Sequence, residues 1–150
     1  MTEGSLGADS AARNKAAARA FFSAIDRLDR RALAPFYHDN FALLYPGNEK
    51  ALDREAHWQL IAAYHAGFSD MAHRVDILVA EGDRVVARGT ILGTNDGPLM
   101  GQPPTGKRVD VQFMTMMTFD NGKLVQLFSL IDTAMLQKQL AVGNVLYVSR

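Results

Sequence analysis

Apolar and polar residues alternate with a helical period in the first part of the chain. From about the tenth residue onwards, apolar side chains recur every three or four residues, as at Phe21 and Ile25. This spacing predicts an amphipathic helix with Asp9 or Ser10 as its N-cap. The preceding residues 1–9 are mostly small or polar, and we expect them to form a disordered tail.

Two shorter helical patterns and a first strand follow. Residues 30–37, after Asp29, and residues 54–66, after Asp53, have the N-cap and the apolar spacing of helices. Residues 41–45 are apolar and run into a turn containing Pro and Gly, which predicts a strand. The side chains that we expect to face inward from the third helix are Trp58, Ile61, Ala62 and His65.

The second half of the chain has the pattern of strands. Four strands and a final helix are predicted, over residues 72–80, 84–94, 108–119, 124–131 and 133–140. The last two strands are joined by a turn with the pair Asn121-Gly122, which tolerates the positive φ of a tight hairpin. Because these two strands are apolar on both faces, each is expected to pack on both faces.

Helices followed by an antiparallel meander predict an α+β fold. The length of 150 residues suits one domain, which we place over residues 10–150. A strongly curved antiparallel sheet wrapped around the N-terminal helices leaves a conical pocket between the two layers. Such a cavity is the expected ligand site.

Composition restricts the class of partner. Lys plus Arg equals Asp plus Glu at 16 each, so no net charge favours nucleic acid or an anionic membrane surface. No apolar run approaches the roughly 20 residues that cross a bilayer. The absence of cysteine excludes thiolate chemistry and fits a reducing, cytoplasmic setting. The four histidines form no i, i+4 pair, so no metal site is expected.

Asp132 is the candidate for chemistry, because it lies at the end of the apolar hairpin. If its side chain faces the cavity, apolar walls would raise its pKa towards the range of a general base. If it is instead the N-cap of the final helix, backbone N–H groups would lower its pKa. The sequence leaves both alternatives open.

The segment from Gly93 to Leu140 resembles a known family. The resemblance is carried by the loop at residues 100–109, the turn at residues 119–125, and Asp132 with the Leu136, Gln139 and Leu140 that follow it. These features are similar to those of the SnoaL-like polyketide cyclases, in the nuclear transport factor 2-like superfamily. The resemblance implies a cystatin-like α+β barrel. It also implies a cofactor-independent intramolecular aldol condensation of a small, hydrophobic, polyketide-like substrate, with Asp132 as the acid/base.

The chain departs from the cyclase pattern at the polar positions. Leu43 and Leu44 replace a usual Asn-His pair on the first strand, and residues 126–128 replace a common Glu-His-Trp run. Other side chains would then have to supply hydrogen-bond donors. The candidates are Tyr45, Asn48, His57, Tyr64, His65 and Gln112.

The long strand at residues 108–119 is expected to contact ligand on one face and a second subunit on the other. The expected ligand contacts are Tyr45, Trp58, Ile61, Tyr64, His65, Gln112, Met114, Met116 and Phe128. The opposite face of the strand, expected to form a homodimer, carries Val111, Phe113, Thr115 and Met117.

Three functional hypotheses follow. The first is a cyclase-type enzyme in which Asp132 moves a proton within a hydrophobic carbonyl substrate. The second is a non-catalytic protein of the same fold that binds an apolar metabolite or serves in assembly, since leucines stand at expected polar positions. The third is another proton-transfer enzyme of the superfamily, similar to a ketosteroid isomerase or a dehydratase.

Overall fold

The computed structural model describes residues 3–141; residues 142–150, the end of the predicted domain, lie outside the described residues. Helices and strands alternate early and strands dominate later, as expected. The helices are α1 (Glu3–Asp26), α2 (Arg30–Leu33), α3 (Arg54–Gly67) and α4 (Thr133–Leu140), with a 3-10 turn at Ala34–Phe36. The strands are β1 (Tyr37–Leu44), β2 (Ala72–Glu81), β3 (Arg84–Thr94), β4 (Arg108–Asp120) and β5 (Lys123–Ile131).

The five strands form one curved, open sheet in the order β1-β5-β4-β3-β2. Strands β2 to β5 are antiparallel neighbours, and β1 pairs with β5 in parallel. Helices α1 and α3 pack against the sheet, and the buried apolar residues lie between the two layers. The predicted α+β fold is therefore confirmed. No helix among the described residues is long and apolar enough to cross a membrane.

The caps predicted at Asp29 and Asp53 and the hairpin turn are confirmed, whereas the cap predicted at Asp9 or Ser10 is wrong, because both residues lie inside α1. Asp29 accepts a hydrogen bond from the backbone N–H of Ala32, and Asp53 from that of Ala56, at 2.9 and 2.8 Å. In the turn between β4 and β5, Asn121 and Gly122 both have positive φ, at 48° and 76°. Capping and positive φ depend on residues only a few positions apart, so a sequence pattern can predict them.

Two predicted boundaries are wrong. Helix α1 begins at Glu3, so residues 3–9 are helical where a tail was predicted; adding a residue to the end of a formed helix costs far less than starting one. The second helix ends at Leu33 and β1 already begins at Tyr37. Pro35 accounts for the early end, because proline has no N–H to continue the hydrogen-bond ladder.

A β-bulge changes the faces of β2. Its pairing with β3 shifts between Val75 and Ile77, so the regular in-and-out alternation of side chains breaks beyond Val75. Ile77 and Val79 are 46% and 59% exposed, whereas Leu78 is half-buried against the core. An extra residue in one strand reverses the side-chain alternation that follows it.

The two faces of β4 are the reverse of the prediction. The side chains that face the core are Val109, Val111, Phe113, Thr115, Met117 and Phe119, all buried. Gln112 and Met114 are exposed on the outer face. Because the strand is apolar on both faces, its period of two does not reveal which face is inward, and a wrong choice moves every side chain.

The long loop at residues 95–107 is held by the buried side chain of Asn95. Its amide donates to the carbonyls of Gly67 and Gly97, each at 3.0 Å. Its side-chain oxygen accepts from the backbone N–H and the hydroxyl of Thr105, each at 2.9 Å. Leu99 then packs as a buried residue on Gly67, so this loop is fixed to the end of α3.

Candidate functional site

A mostly apolar cavity lies between the inner face of the sheet and helices α1 and α3. The volume open to the centre of a water-sized sphere is about 110 Å³. Polar side chains are few in its wall, and they are Tyr45, His57, Tyr64, His73, Thr115 and Ser129. No Asp or Glu is among the described lining residues. Such a wall fits a neutral, largely apolar guest.

Asp132 does not line this cavity, and of the two alternatives that the sequence left open, the structure has the helix cap. It is the N-cap of α4, and its Oδ1 accepts from the backbone N–H of Met135 at 2.9 Å. The side chain is exposed and borders a shallow depression on the outer face of the sheet, together with Gln112 and Met114. Asp132 and Gln112 therefore share the outer face of the sheet.

Three of the predicted ligand contacts lie on the cavity wall, namely Tyr45, Ile61 and Tyr64. The other six do not line it, and they are Trp58, His65, Gln112, Met114, Met116 and Phe128. Gln112, Met114 and Met116 lie on the outer face of β4, and Phe128 pairs with Met116 across the hairpin.

The predicted inner face of α3 is displaced. His57, Leu60, Ile61 and Tyr64 line the cavity, at the i, i+3, i+4 and i+7 spacing of a helical face. Trp58 instead lies beneath the guanidinium of Arg30, at 5.4 Å, and His65 Nε2 bonds to the carbonyl of Ile25 at 2.8 Å. The many alanines of this helix leave its apolar face poorly defined in the sequence.

His73 on the wall is held by Asp26 at the end of α1. His73 Nδ1 lies 2.6 Å from Asp26 Oδ1, and the backbone N–H of His73 donates to Oδ2 at 2.9 Å. A carboxylate only accepts hydrogen bonds, so Nδ1 carries a proton, and Nε2 keeps its lone pair whenever the ring is neutral. Phe22 and Phe113 pack on the ring, at 5.1 and 5.3 Å between centroids.

This pair is the main feature that the sequence did not reveal. Asp26 and His73 are 47 residues apart and belong to different elements. Neither residue has a motif around it, and only the packing of α1 against β2 brings them together. The same holds for Thr115 and Ser129, whose hydroxyl oxygens lie 3.4 Å apart across β4 and β5 on the wall.

A second wall histidine has a different partner. His57 Nδ1 lies 2.9 Å from the hydroxyl of Tyr37. Burial lowers the pKa of His57 to about 4, so this ring is neutral at neutral pH. Burial likewise raises the pKa of Tyr37, against a smaller opposing effect of Arg30. The cavity wall therefore has two histidines with different partners: Nδ1 of His73 faces a carboxylate, and Nδ1 of His57 faces a tyrosine hydroxyl.

Tyrosines supply further hydroxyls. Burial raises the pKa of Tyr64, and so does a hydrogen bond with Tyr45, so the Tyr64 phenol keeps its proton. Among the described residues, no group of three or more His, Cys, Asp or Glu is placed to hold a metal ion. The arrangement offers hydrogen bonds and proton transfer within a mostly apolar cavity.

Comparison with known proteins gives consistent matches. The family model described as SnoaL-like polyketide cyclase matches residues 15–140. No curated protein matches the chain. Solved structures that resemble it include AclR, a proposed hydroxylase from Streptomyces galilaeus, at 26% identity and a TM-score of 0.79, covering 87% of this chain and 96% of AclR.

Two further solved structures are similar. IdmH, a proposed polyketide cyclase from Streptomyces antibioticus, is 25% identical with a TM-score of 0.78, over 86% of this chain and 99% of IdmH. TsrD from Streptomyces laurentii is 28% identical with a TM-score of 0.75, over 87% of this chain and 96% of TsrD.

Proposed function

Because the chain belongs to the SnoaL-like polyketide cyclase family, we propose that it is an acid/base enzyme acting on a small, hydrophobic carbonyl compound in the cavity. The proposed acid/base group is His73, oriented by Asp26, and not Asp132. The observation that carries the proposal is the 2.6 Å contact between His73 Nδ1 and Asp26 Oδ1 at the cavity wall. A carboxylate behind a histidine fixes its tautomer and stabilises the imidazolium that forms when it accepts a proton.

The proposed chemistry requires only proton transfer from the protein. His73 Nε2 removes a proton from the carbon next to a carbonyl, which leaves an enolate. In a polyketide-like substrate, the enolate carbon attacks a second carbonyl of the same molecule, so a carbon–carbon bond forms and a ring closes. The new alkoxide takes a proton back from the His73 imidazolium. The balance is an isomerisation, which needs no redox or group-transfer cofactor.

The cavity supports a substrate of this kind. Its wall is mostly aliphatic and aromatic, so it suits a flat, neutral skeleton. In such surroundings the enolate is poorly hydrated and reacts more readily. Isomerase-like or dehydratase-like reactions begin with the same proton abstraction, and the substrate decides among them.

A direct test measures proton abstraction without the natural substrate. The protein is incubated with β-tetralone in D₂O, and deuterium incorporation next to the carbonyl is followed by NMR. We expect exchange above background, and a loss of about 100-fold or more in the His73→Gln variant. Ring closure of poly-β-ketone esters is then the test of the cyclase reaction.

The control variant is Asp132→Asn, which changes a carboxylate outside the cavity. It should retain the exchange rate and the stability of the wild type, because Asn caps a helix about as well as Asp. Equal rates in the wild type and in His73→Gln would refute the assignment of His73. A loss confined to Asp132→Asn would restore Asp132 as the acid/base.

A second candidate function is non-catalytic binding of an apolar metabolite. It is favoured by the absence of Asp and Glu among the described lining residues. Mass spectrometry of the purified protein would then detect a bound aromatic or lipid-like molecule, while no substrate shows turnover or exchange.

We further propose that two copies of the chain associate through the outer face of the sheet. Met114 and Leu130 on this face are 47% and 43% exposed, and they pair directly across β4 and β5. Arg88 and Asp132 border the same depression, so a two-fold axis would allow opposite charges of the two copies to meet. This is the face opposite to the one predicted from the sequence.

A further inference from the structure

His57 is a deeply buried polar residue of the cavity wall. Its ring stacks on Phe21, with centroids 6.0 Å apart and an interplanar angle of 17°. Tyr37 and Phe41 pack around it at 5.9 and 5.5 Å. The residue is 5% exposed, so its polar atoms are held in one orientation by three aromatic rings.

The hydrogen bond with Tyr37 defines which ring nitrogen carries the proton. The Tyr37 phenol keeps its proton, because burial raises its pKa. Its hydroxyl has no second hydrogen-bond partner among the described residues, and a buried O–H without an acceptor is costly. Tyr37 therefore donates to Nδ1 of His57, and the neutral ring carries its own proton on Nε2.

The Nε2–H group of His57 is accessible from the cavity. Among the described residues, no fully buried side-chain nitrogen or oxygen lacks a hydrogen-bond partner. Nε2 of His57 has no partner in that part of the chain, so it must keep some accessible surface. Since His57 lines the cavity, that surface is the part of the ring available to a guest molecule.

We infer that His57 is a carbonyl-binding residue, whose Nε2–H, oriented by Tyr37, donates a hydrogen bond to the oxygen of a neutral ligand. A neutral donor in an apolar wall selects an uncharged acceptor such as a ketone, because an anion would lose its hydration without gaining a counter-charge. His57 and His73 rest on the neighbouring rings of Phe21 and Phe22. The first thus offers a donor, and the second an acceptor, to one cavity.

The binding role stands on its own geometry, and one consequence rests on the proposed function. A hydrogen bond to a carbonyl withdraws electron density and stabilises the enolate that forms beside it. Proton abstraction by His73 would therefore be faster on a ketone that His57 holds.

The tautomer is tested in the wild-type protein by ¹⁵N NMR of the histidine rings. We expect the His57 signals to show a protonated Nε2 and an unprotonated Nδ1 at neutral pH, and to stay unchanged down to about pH 5. Among the rings packed on His57, those of Phe21, Tyr37 and Phe41, only that of Tyr37 is titratable, and it stays protonated over this range. A proton on Nδ1, or an imidazolium at neutral pH, would overturn the inference.

The contact with a ligand is tested with β-tetralone labelled with ¹³C at the carbonyl, and with tetralin, which lacks the carbonyl. The variant is Tyr37→Phe/His57→Phe, because replacing both hydrogen-bond partners by rings of similar shape leaves neither one unsatisfied. We expect the preference for ketone over hydrocarbon to fall by roughly fivefold to tenfold. The carbonyl stretch of the bound ketone should move to higher frequency in the variant.

His65→Gln is the matched control on the same helix, because His65 does not line the cavity. The carbonyl stretch of the ketone bound to this variant should equal that of the ketone bound to the wild type. An unchanged stretch and an unchanged preference in the double variant would overturn the inference. If the stretch shifts as expected but no α-proton exchanges, the proposed enzymatic function fails and His57 remains a binding residue. If exchange depends on His73 but the stretch is unaffected in the double variant, the proposed enzymatic function stands and the binding role of His57 fails.

Discussion

At the scale of single residues, burying a neutral histidine links stability to pH. The pKa of His57 is lowered to about 4 by burial, whereas a histidine in the unfolded chain titrates near 6.5. Between these two values the unfolded chain binds a proton and the folded chain does not. Protons therefore favour unfolding in this range, and the contribution of His57 is fully present only above about pH 6.5.

We predict that the free energy of unfolding of the wild type is lower at pH 5 than at pH 7.5. His57 should account for about 2 kcal/mol of that difference. Urea denaturation at the two pH values measures the loss. The Tyr37→Phe/His57→Phe variant provides the comparison, because it lacks the titrating ring; its pH dependence should be weaker by the same amount. Identical slopes in both proteins would contradict the lowered pKa.

At the scale of elements, the β-bulge of β2 depends on a glycine in the neighbouring strand. Gly89 pairs with Val75, where the register shifts. A Cβ added at residue 89 would lie 2.1 Å from the carbonyl oxygen of Arg74 and 2.9 Å from the ring of Phe113. The first of these is a backbone atom that no rotamer change can move. The close approach of the two strands therefore requires glycine.

We predict that Gly89→Ala lowers the free energy of unfolding by about 2 to 3 kcal/mol, because the strands must separate to admit the methyl group. Thermal or urea unfolding provides the measurement. Gly7→Ala is the matched control, since nothing lies within 4 Å of a Cβ there and alanine favours a helix. A Gly89→Ala protein as stable as the wild type would show that the bulge adapts at low cost.

The elements also show what a sequence can predict. Asp29, Asp53 and the Asn121-Gly122 turn were identified correctly, because capping and positive φ depend on neighbours within a few residues. Strand β4 was located almost to the residue, but its faces were assigned in reverse. Both faces are apolar, and only the three-dimensional position of the helices decides which one is covered.

The candidate site was less predictable for the same reason. Of the side chains expected to contact a ligand, Tyr45, Ile61 and Tyr64 line the cavity. The contact of Asp26 with His73 joins residues that are distant in the chain, and no periodicity records it. For Asp132 the sequence allowed either a side chain that faces the cavity or the N-cap of the final helix, and the structure shows the N-cap.

At the scale of the whole molecule, the same two apolar strands form part of the cavity wall and part of the outer face of the sheet. Strands β4 and β5 give one face to the cavity and leave Met114 and Leu130 on the other, each more than 40% exposed. Exposed apolar side chains that adjoin one another favour association. A second copy of the chain would cover them without altering the cavity, so dimer formation and ligand binding are expected to be separable.

We therefore predict that the wild type sediments as a dimer at micromolar concentration and that Met114→Glu/Leu130→Glu sediments as a monomer. The introduced carboxylates of one subunit would face those of the other across the two-fold axis and repel them. Because both positions are exposed, the substitutions leave the packing of the core unchanged. Met100→Glu, at a loop position that is 69% exposed, is the matched control and should remain dimeric. β-Tetralone binding should be equal in all three proteins, because none of these side chains lines the cavity. A wild-type monomer at this concentration would contradict the association, and weaker ketone binding in the monomeric variant would contradict the separation of the two faces.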